Sequence, residues 1–308
     1  MNSRIVRSIV IVATSLGLGL FAWAQTTKPA QQVKDAYPML TSGVLASAKL
    51  AVLPTGVLLR SGDLQITQKD LDAAIAKEQT DIRAQLKNNQ FFLLENRATN
   101  ALVLAEAKAW AKQTSRPGES DDALLRAYFQ DLVAKLTVTD DELKVFYYDN
   151  KSMMGGATLE QVQNDLRTYL LDDKRQKFVD EHIRTIGDRM AIEVDKGWTA
   201  RQSILATNNP VDKARKSGKP TLADFGADGC QPCEMMTPIL AELKKEYAGK
   251  MNVVFVHVRK EPVLGARFGV ASIPVQVFYD KTGKEVFRHV GFFPKDQIVA
   301  KFAEMGVK

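Results

Sequence analysis

Thr221-Leu-Ala-Asp-Phe-Gly-Ala-Asp-Gly-Cys-Gln-Pro-Cys-Glu-Met-Met-Thr-Pro-Ile-Leu240 is the stretch on which the reading of this chain turns. Thr221–Phe225 reads as a strand, and Cys233 to Tyr247 as a helix. Cys230 and Cys233, the only two cysteines in 308 residues, stand at the junction. A bridge closing so short a loop removes little entropy from the unfolded chain, so it makes a poor structural staple. Redox chemistry explains the pair better, because a C-x-x-C between a strand and a helix places both sulfurs on one side of the first turn. Free N–H groups at a helix start favour a nearby anion, so Cys230 can hold a thiolate. That thiolate can attack a partner disulfide, and Cys233 can then release the partner as a dithiol. Pro232 lies early in the helix, where its missing N–H costs little.

Working outward, Val253–Val258 is a continuous apolar run of the kind buried on both faces of a sheet. A short helix near Val263–Phe268 leads to Ile273-Pro274. Val275–Tyr279 and Glu285–Val290 flank the turn Asp280-Lys-Thr-Gly283, a hairpin signal. Pro294 opens a last helix to Met305. The order β-α-β-α-β-β-α suits one small domain.

The preceding half has a different period. Val57–Arg60 reads as a short strand before the Ser61-Gly-Asp63 turn, and Thr67 to Asp70 fits a helix cap followed by an acid at the third position. Leu71, Ile75, Ile82 and Leu86 continue at helical spacing. Further helices are expected over Phe91–Gln113, Ser120–Leu136, from Thr139 onward, and over Thr158–Met190, with breakers at 115–118 and 152–157. A short strand, Ala191–Val194, closes the region. Gln25 to about Thr55 reads as a tether with one short helix near Val44–Leu50, and Lys196 to Asp212 as a linker whose clearest breaker is Asn208-Asn-Pro210.

Composition narrows the function classes. With 45% apolar and 25% charged residues the chain is globular in type, and a net charge of +6 spread along the sequence does not suit nucleic-acid binding. Three histidines and two cysteines are too few and too scattered for a metal site. Arg4 and Arg7, the apolar run Ser8–Phe21 and Ala22-Trp-Ala24 read as a cleavable export signal, the alternative being an uncleaved membrane anchor. The expected location is a bacterial periplasm.

Residues 213–308 resemble the thioredoxin family, through Leu222–Leu240 and through Ser272-Ile-Pro274, whose proline is cis in that family. The resemblance implies that Cys230 and Cys233 are catalytic and that Asp224 is a buried carboxylate moving the proton of Cys233. It also implies that Ile273 pairs through its backbone with an extended partner, beside Pro274, Gln231 and Pro232. No cofactor is implied beyond the redox-active Cys230–Cys233 pair. The sequence departs from the family at Gly226 and Gly229, where tryptophans are common, at Phe255, where many members pair a lysine with the buried aspartate, and at Gln231, usually glycine. Pro232 is shared with the reducing members.

Residues 57–195 resemble the helical chaperone part of SurA-type and parvulin-type prolyl isomerases. The resemblance rests on Ser61–Thr67, Val138-Thr-Asp-Asp-Glu-Leu-Lys-Val-Phe-Tyr-Tyr-Asp-Asn150 and the helix from Leu159. The Lys151–Ala157 connection is too short to hold an isomerase domain, so no isomerase activity is expected.

The expected fold is therefore multidomain, an all-α chaperone-like domain followed by an α/β thioredoxin fold. Its divisions are 1–24 signal, 25–56 tether, 57–195 helical domain, 196–212 linker and 213–308 thioredoxin-like domain. The expected activity is disulfide reduction or exchange on disulfide-bearing or unfolded envelope proteins. A membrane thiol transporter of the DsbD or CcdA type would supply electrons, and the helical domain would bind clients or pair two copies. The alternative is a non-enzymatic holdase with a thioredoxin-like binding module.

Overall fold

A computed structural model describes residues 30–41, 43–114 and 120–307; the segment read as an export signal, 1–24, and the breaker read at 115–118 lie outside them. The first half runs α1 (Val33–Ala36), β1 (Lys49–Ala51), β2 (Val57–Ser61), β3 (Leu64–Thr67), α2 (Gln68–Ala76), α3 (Thr80–Asn88), α4 (Gln90–Gln113), α5 (Asp121–Val133), α6 (Asp140–Asp149), α7 (Leu159–Arg189) and β4 (Glu193–Asp195). Thr67 and Thr139 start α2 and α6 with reciprocal caps to Asp70 and Glu142. The single helical run expected from Thr67 to Leu86 is two helices, α2 and α3.

This half is not all-helical. Its strands form a sheet in the order β1-β4-β2-β3, in which β1 is parallel to β4 and the other pairs are antiparallel. Strands of three to five residues are too short to show a period, which is why β1 and β3 escape a pattern reading.

Among the described residues, the segment read as a tether is packed. Val33, Val44, Leu45 and Ala48 lie in the same core as Leu59, Phe91, Leu94 and Ile186. No helix forms at Val44–Leu50, because the backbone there is bonded elsewhere. The Leu45 N–H donates to Glu95 Oε1 (3.0 Å), the Val33 N–H to the Ala48 carbonyl (3.0 Å), and the rest becomes β1. Glu95 is half-buried, and desolvation pushes its carboxyl upward against the donors Thr41 and Leu45.

The segment read as a linker is also structured, as α8 (Lys196–Ala206) and α9 (Pro210–Arg215). Asp195 caps α8, whose Trp198 stacks on Phe91 (6.1 Å between ring centroids) and donates to Gln68 Oε1 (3.0 Å). Asn208-Asn-Pro210 starts a helix instead of breaking the chain. The Asn209 side chain accepts from the Asp212 N–H (3.0 Å), and Pro210 occupies the first turn, where no N–H is needed.

The second half follows as β5 (Thr221–Gly226), α10 (Gln231–Glu246), β6 (Asn252–His257), α11 (Pro262–Arg267), β7 (Val275–Tyr279), β8 (Glu285–Val290) and α12 (Lys295–Glu304). The sheet order is β6-β5-β7-β8, with β5 parallel to β6 and antiparallel to β7, and β7 antiparallel to β8. Alternation along β5 sends Leu222 toward Met236 and Leu240 of α10 and Phe302 of α12, and Ala223 and Phe225 toward Val211, Leu264 and Phe268. The apolar run expected to be buried on both faces, Val253–Val258, contains the edge strand β6 instead. Phe255 is 51% exposed there, and the fully enclosed strands are β5 and β7.

The halves meet where α3 lies against α11. Ile75, Leu86 and Val263 form a small apolar cluster; Gln85 donates to the Lys260 carbonyl (2.9 Å) and accepts from the Val263 N–H (3.2 Å). Arg267 donates to the carbonyls of Ala206 (2.7 Å) and Met39 (2.9 Å) and pairs with buried Asp212 (2.7 Å), which Arg215 also holds (2.8 Å). Among the described residues no helix is long and apolar enough to cross a membrane.

Candidate functional site

The site forms where β5 ends and α10 begins. Gly229 turns the chain with φ of +67°, a conformation that side chains resist. Cys230 then takes the N-cap position, and the Cys233 N–H donates to its Sγ (3.3 Å). Pro232 sits within the first turn and Pro238 further along the same helix. The two sulfurs are joined in a disulfide with Cα atoms 5.2 Å apart. Cys230 is half-buried, whereas Cys233, one turn inward, is 5% exposed. The outer sulfur is thus reachable and the inner one is sheltered.

Ile273 and Pro274 approach from before β7. Their peptide bond is cis, and the Ile273 carbonyl oxygen lies 3.9 Å from Cys230 Sγ. Gln231 and Pro232 are exposed beside Cys230. All six of these residues, predicted from widely separated segments, share one end of the sheet.

Asp224 lies deeper, two residues before Gly226 on β5. Leu222, Asp224 and Gly226 share the strand face that α10 covers. A Cβ on Gly226 would fall 3.5 Å from Cys233 Sγ and 3.1 Å from the Phe255 ring, so glycine lets both crowd against the strand. Asp224 has no exposure, and burial pushes its carboxyl up to about 6, partly opposed by a hydrogen bond from Gln276. Gln276 Nε2 donates to Asp224 Oδ1 at 2.7 Å.

Three neighbours escape a sequence reading. Gln276 is one, although a lone amide inside Val275-Gln-Val-Phe-Tyr279 is a visible anomaly. His257, read as an ordinary strand residue, pairs through Nε2 with Asp228 Oδ2 (2.9 Å), and this bond holds the Asp228 carboxyl below its usual range. Arg259 donates to the Asp228 carbonyl (2.7 Å), fixing the loop two residues ahead of Cys230. Among the described residues no group of three or more histidine, cysteine or acidic side chains could hold a metal ion.

An accessible sulfur capping a helix, bridged to a buried one and faced by a cis-proline, is the arrangement of a thiol–disulfide oxidoreductase in the general sense. Comparison with known proteins agrees. The family model for a thioredoxin-like domain matches residues 208–306. The thioredoxin of Alicyclobacillus acidocaldarius is 35% identical over 103 residues, which are 33% of this chain and 97% of that protein. The thioredoxin of Staphylococcus saprophyticus is 38% identical over 95 residues, 31% of this chain and 89% of its own. That of Haemophilus influenzae is 43% identical over 79 residues, 26% of this chain and 73% of its own. Through this C-terminal part, the chain belongs to the thioredoxin family.

Proposed function

We propose that the protein is an exported disulfide reductase or exchange catalyst acting on envelope proteins, with the helical half engaging the client. One observation carries the catalytic part: Cys230 is reachable at a helix N-cap while Cys233 is buried behind it, within bonding distance. In the reduced protein, the Cys230 thiolate attacks a client disulfide, and one client sulfur leaves as a thiolate. Cys233 passes its proton to Asp224 and attacks Cys230 Sγ. The mixed disulfide breaks, the second client sulfur leaves and takes a proton from water, and two electrons have moved from the dithiol to the client. Ile273 offers its backbone to an extended client segment, and Gln231, Pro232 and Pro274 line the approach. A membrane thiol transporter of the DsbD or CcdA type restores the dithiol.

The SurA-like reading of the helical half is supported by apolar surface on its distal helices. Val145 and Tyr148 of α6 and Tyr169 and Phe178 of α7 are exposed, and Leu125, Phe129, Val133 and Val179 line a groove of about 540 Å³ between α5 and α7. The same surface favours the second reading, a holdase whose dithiol is incidental, or a pairing of two copies.

Trapping separates these readings. Cys233→Ser cannot resolve the mixed disulfide, so it should accumulate client adducts removable by dithiothreitol, while Cys230→Ser should form none and lose all dithiothreitol-driven insulin reduction. Full protection of an aggregating client by Cys230→Ser, with no turnover by the parent, would establish the holdase. A reduction potential near roughly −270 mV marks a reductase, and one near about −120 mV an oxidase.

A further inference from the structure

Gln276 has no part in the exchange as written, and its neighbours in β7 are Val275, Val277 and Phe278. Yet its amide has no exposure and lies directly across the β5–β7 ladder from Asp224. The 2.7 Å bond from Nε2 occupies Oδ1 of the carboxylate. Asp224 Oδ2 and Gln276 Oε1 are buried without a partner. An oxygen already accepting an N–H is the poorer base, and a buried acceptor without a donor is unfavourable. A proton arriving at this pair therefore belongs on Oδ2.

We infer that Gln276 is a positioning residue for the exchange reaction: it holds Oδ1 of Asp224 so that Oδ2 alone takes up and returns the proton of Cys233. Two independent observations support it. The carboxyl occupies the strand face that underlies Cys233, and its two oxygens are differentiated by one fixed donor. The proton balance is closed. Oδ2 accepts it when Cys233 attacks Cys230 Sγ, and returns it to Cys233 when the disulfide is next reduced. Gln276 also sustains the charged form of a carboxyl that burial drives toward neutrality, because its N–H favours the carboxylate. The inference rests on the exchange reaction proposed above.

The test uses the full chain. The Asp224 carboxyl is followed by carbon-13 NMR against pH in the disulfide form, and insulin reduction by dithiothreitol-recycled protein is measured over the same range. Gln276→Leu should raise the Asp224 titration by about one pH unit, since a hydrogen bond to a charged group is lost and nothing replaces it. The pH profile of turnover should move with it. Gln276→Met, of similar volume, should give the same shift and serves if the leucine variant does not fold. In an Asp224→Asn background, either substitution should leave the pH profile unmoved. An Asp224 titration that stays in place while the parent turns over insulin overturns the positioning role alone. A shifted titration in a parent that reduces nothing overturns the exchange reaction, and the proton transfer with it.

Discussion

Along β5, six residues run without one exposed side chain; α7 runs 31 residues and buries only Ile186 and Gly187. The strand is enclosed by α10 and α12 on one face and by α9 and α11 on the other. The helix is anchored at its C-terminal end, where Gly187 lies so close to the Val44 carbonyl that a Cβ would sit 2.1 Å from its oxygen. Elsewhere exposed ion pairs such as Arg167–Asp140 and Lys174–Glu142 decorate it, and such pairs contribute little to stability. One region spends its apolar residues on fixing two sulfurs in place. The other keeps them available at the surface.

Two phenylalanines test this contrast most sharply. Phe278 is fully buried among Phe287, Phe293 and Phe302, so Phe278→Ala should destabilise the protein by about 3–5 kcal/mol in urea unfolding. A loss below about 1 kcal/mol would mean that the sheet core is far looser than its packing. Arg267→Ala comes next. It strips buried Asp212 of one cation and two backbone carbonyls of their donor, with an expected loss of about 3 kcal/mol that Arg267→Lys only partly restores.

Asp224→Asn should act in the opposite direction. The folded carboxyl titrates near 6 instead of at its ordinary 3.8, so between those values the native state holds a proton that the unfolded state has lost. Stability therefore falls as pH rises through that window, and at pH 7 the buried charge costs about 3 kcal/mol. Asn should recover that amount at pH 7 and gain nothing at pH 3, as equilibrium unfolding at the two values would reveal. Smallest of all is Phe178→Ala on α7, where the ring is 41% exposed; its stability should change by no more than about 0.5 kcal/mol. Its effect should appear in suppression of client aggregation, and an unchanged holding capacity would leave that face of α7 without a client role.

The dithiol was legible because its signal is local: two cysteines, a strand before them and a helix after them, all within Thr221–Tyr247. The β-α-β-α-β-β-α order was legible for the same reason. What escaped depends on distant partners. Gln276 meets Asp224 across 52 positions of sequence, and nothing near either residue announces the other. The sheet of the first half joins Lys49–Ala51 to Glu193–Asp195, strands of three residues each, whose pairing no periodicity can encode. Phe255 misled because an apolar run specifies a strand but not whether the strand lies at an edge. Asn209-Pro210 misled because the same dipeptide can end one element or begin the next, depending on what the asparagine side chain caps.

Gln85 reads the backbone on either side of the α11 start, a carbonyl at Lys260 and an amide at Val263, only one residue beyond the arginine that steadies the Asp228 loop. Register between the helices and the sulfurs is thereby written into main-chain atoms, which a change of side chain on α11 cannot erase. Grafting the helical segment onto another dithiol domain would consequently transfer its surface but not its aim, unless the glutamine and the backbone it grips travel together.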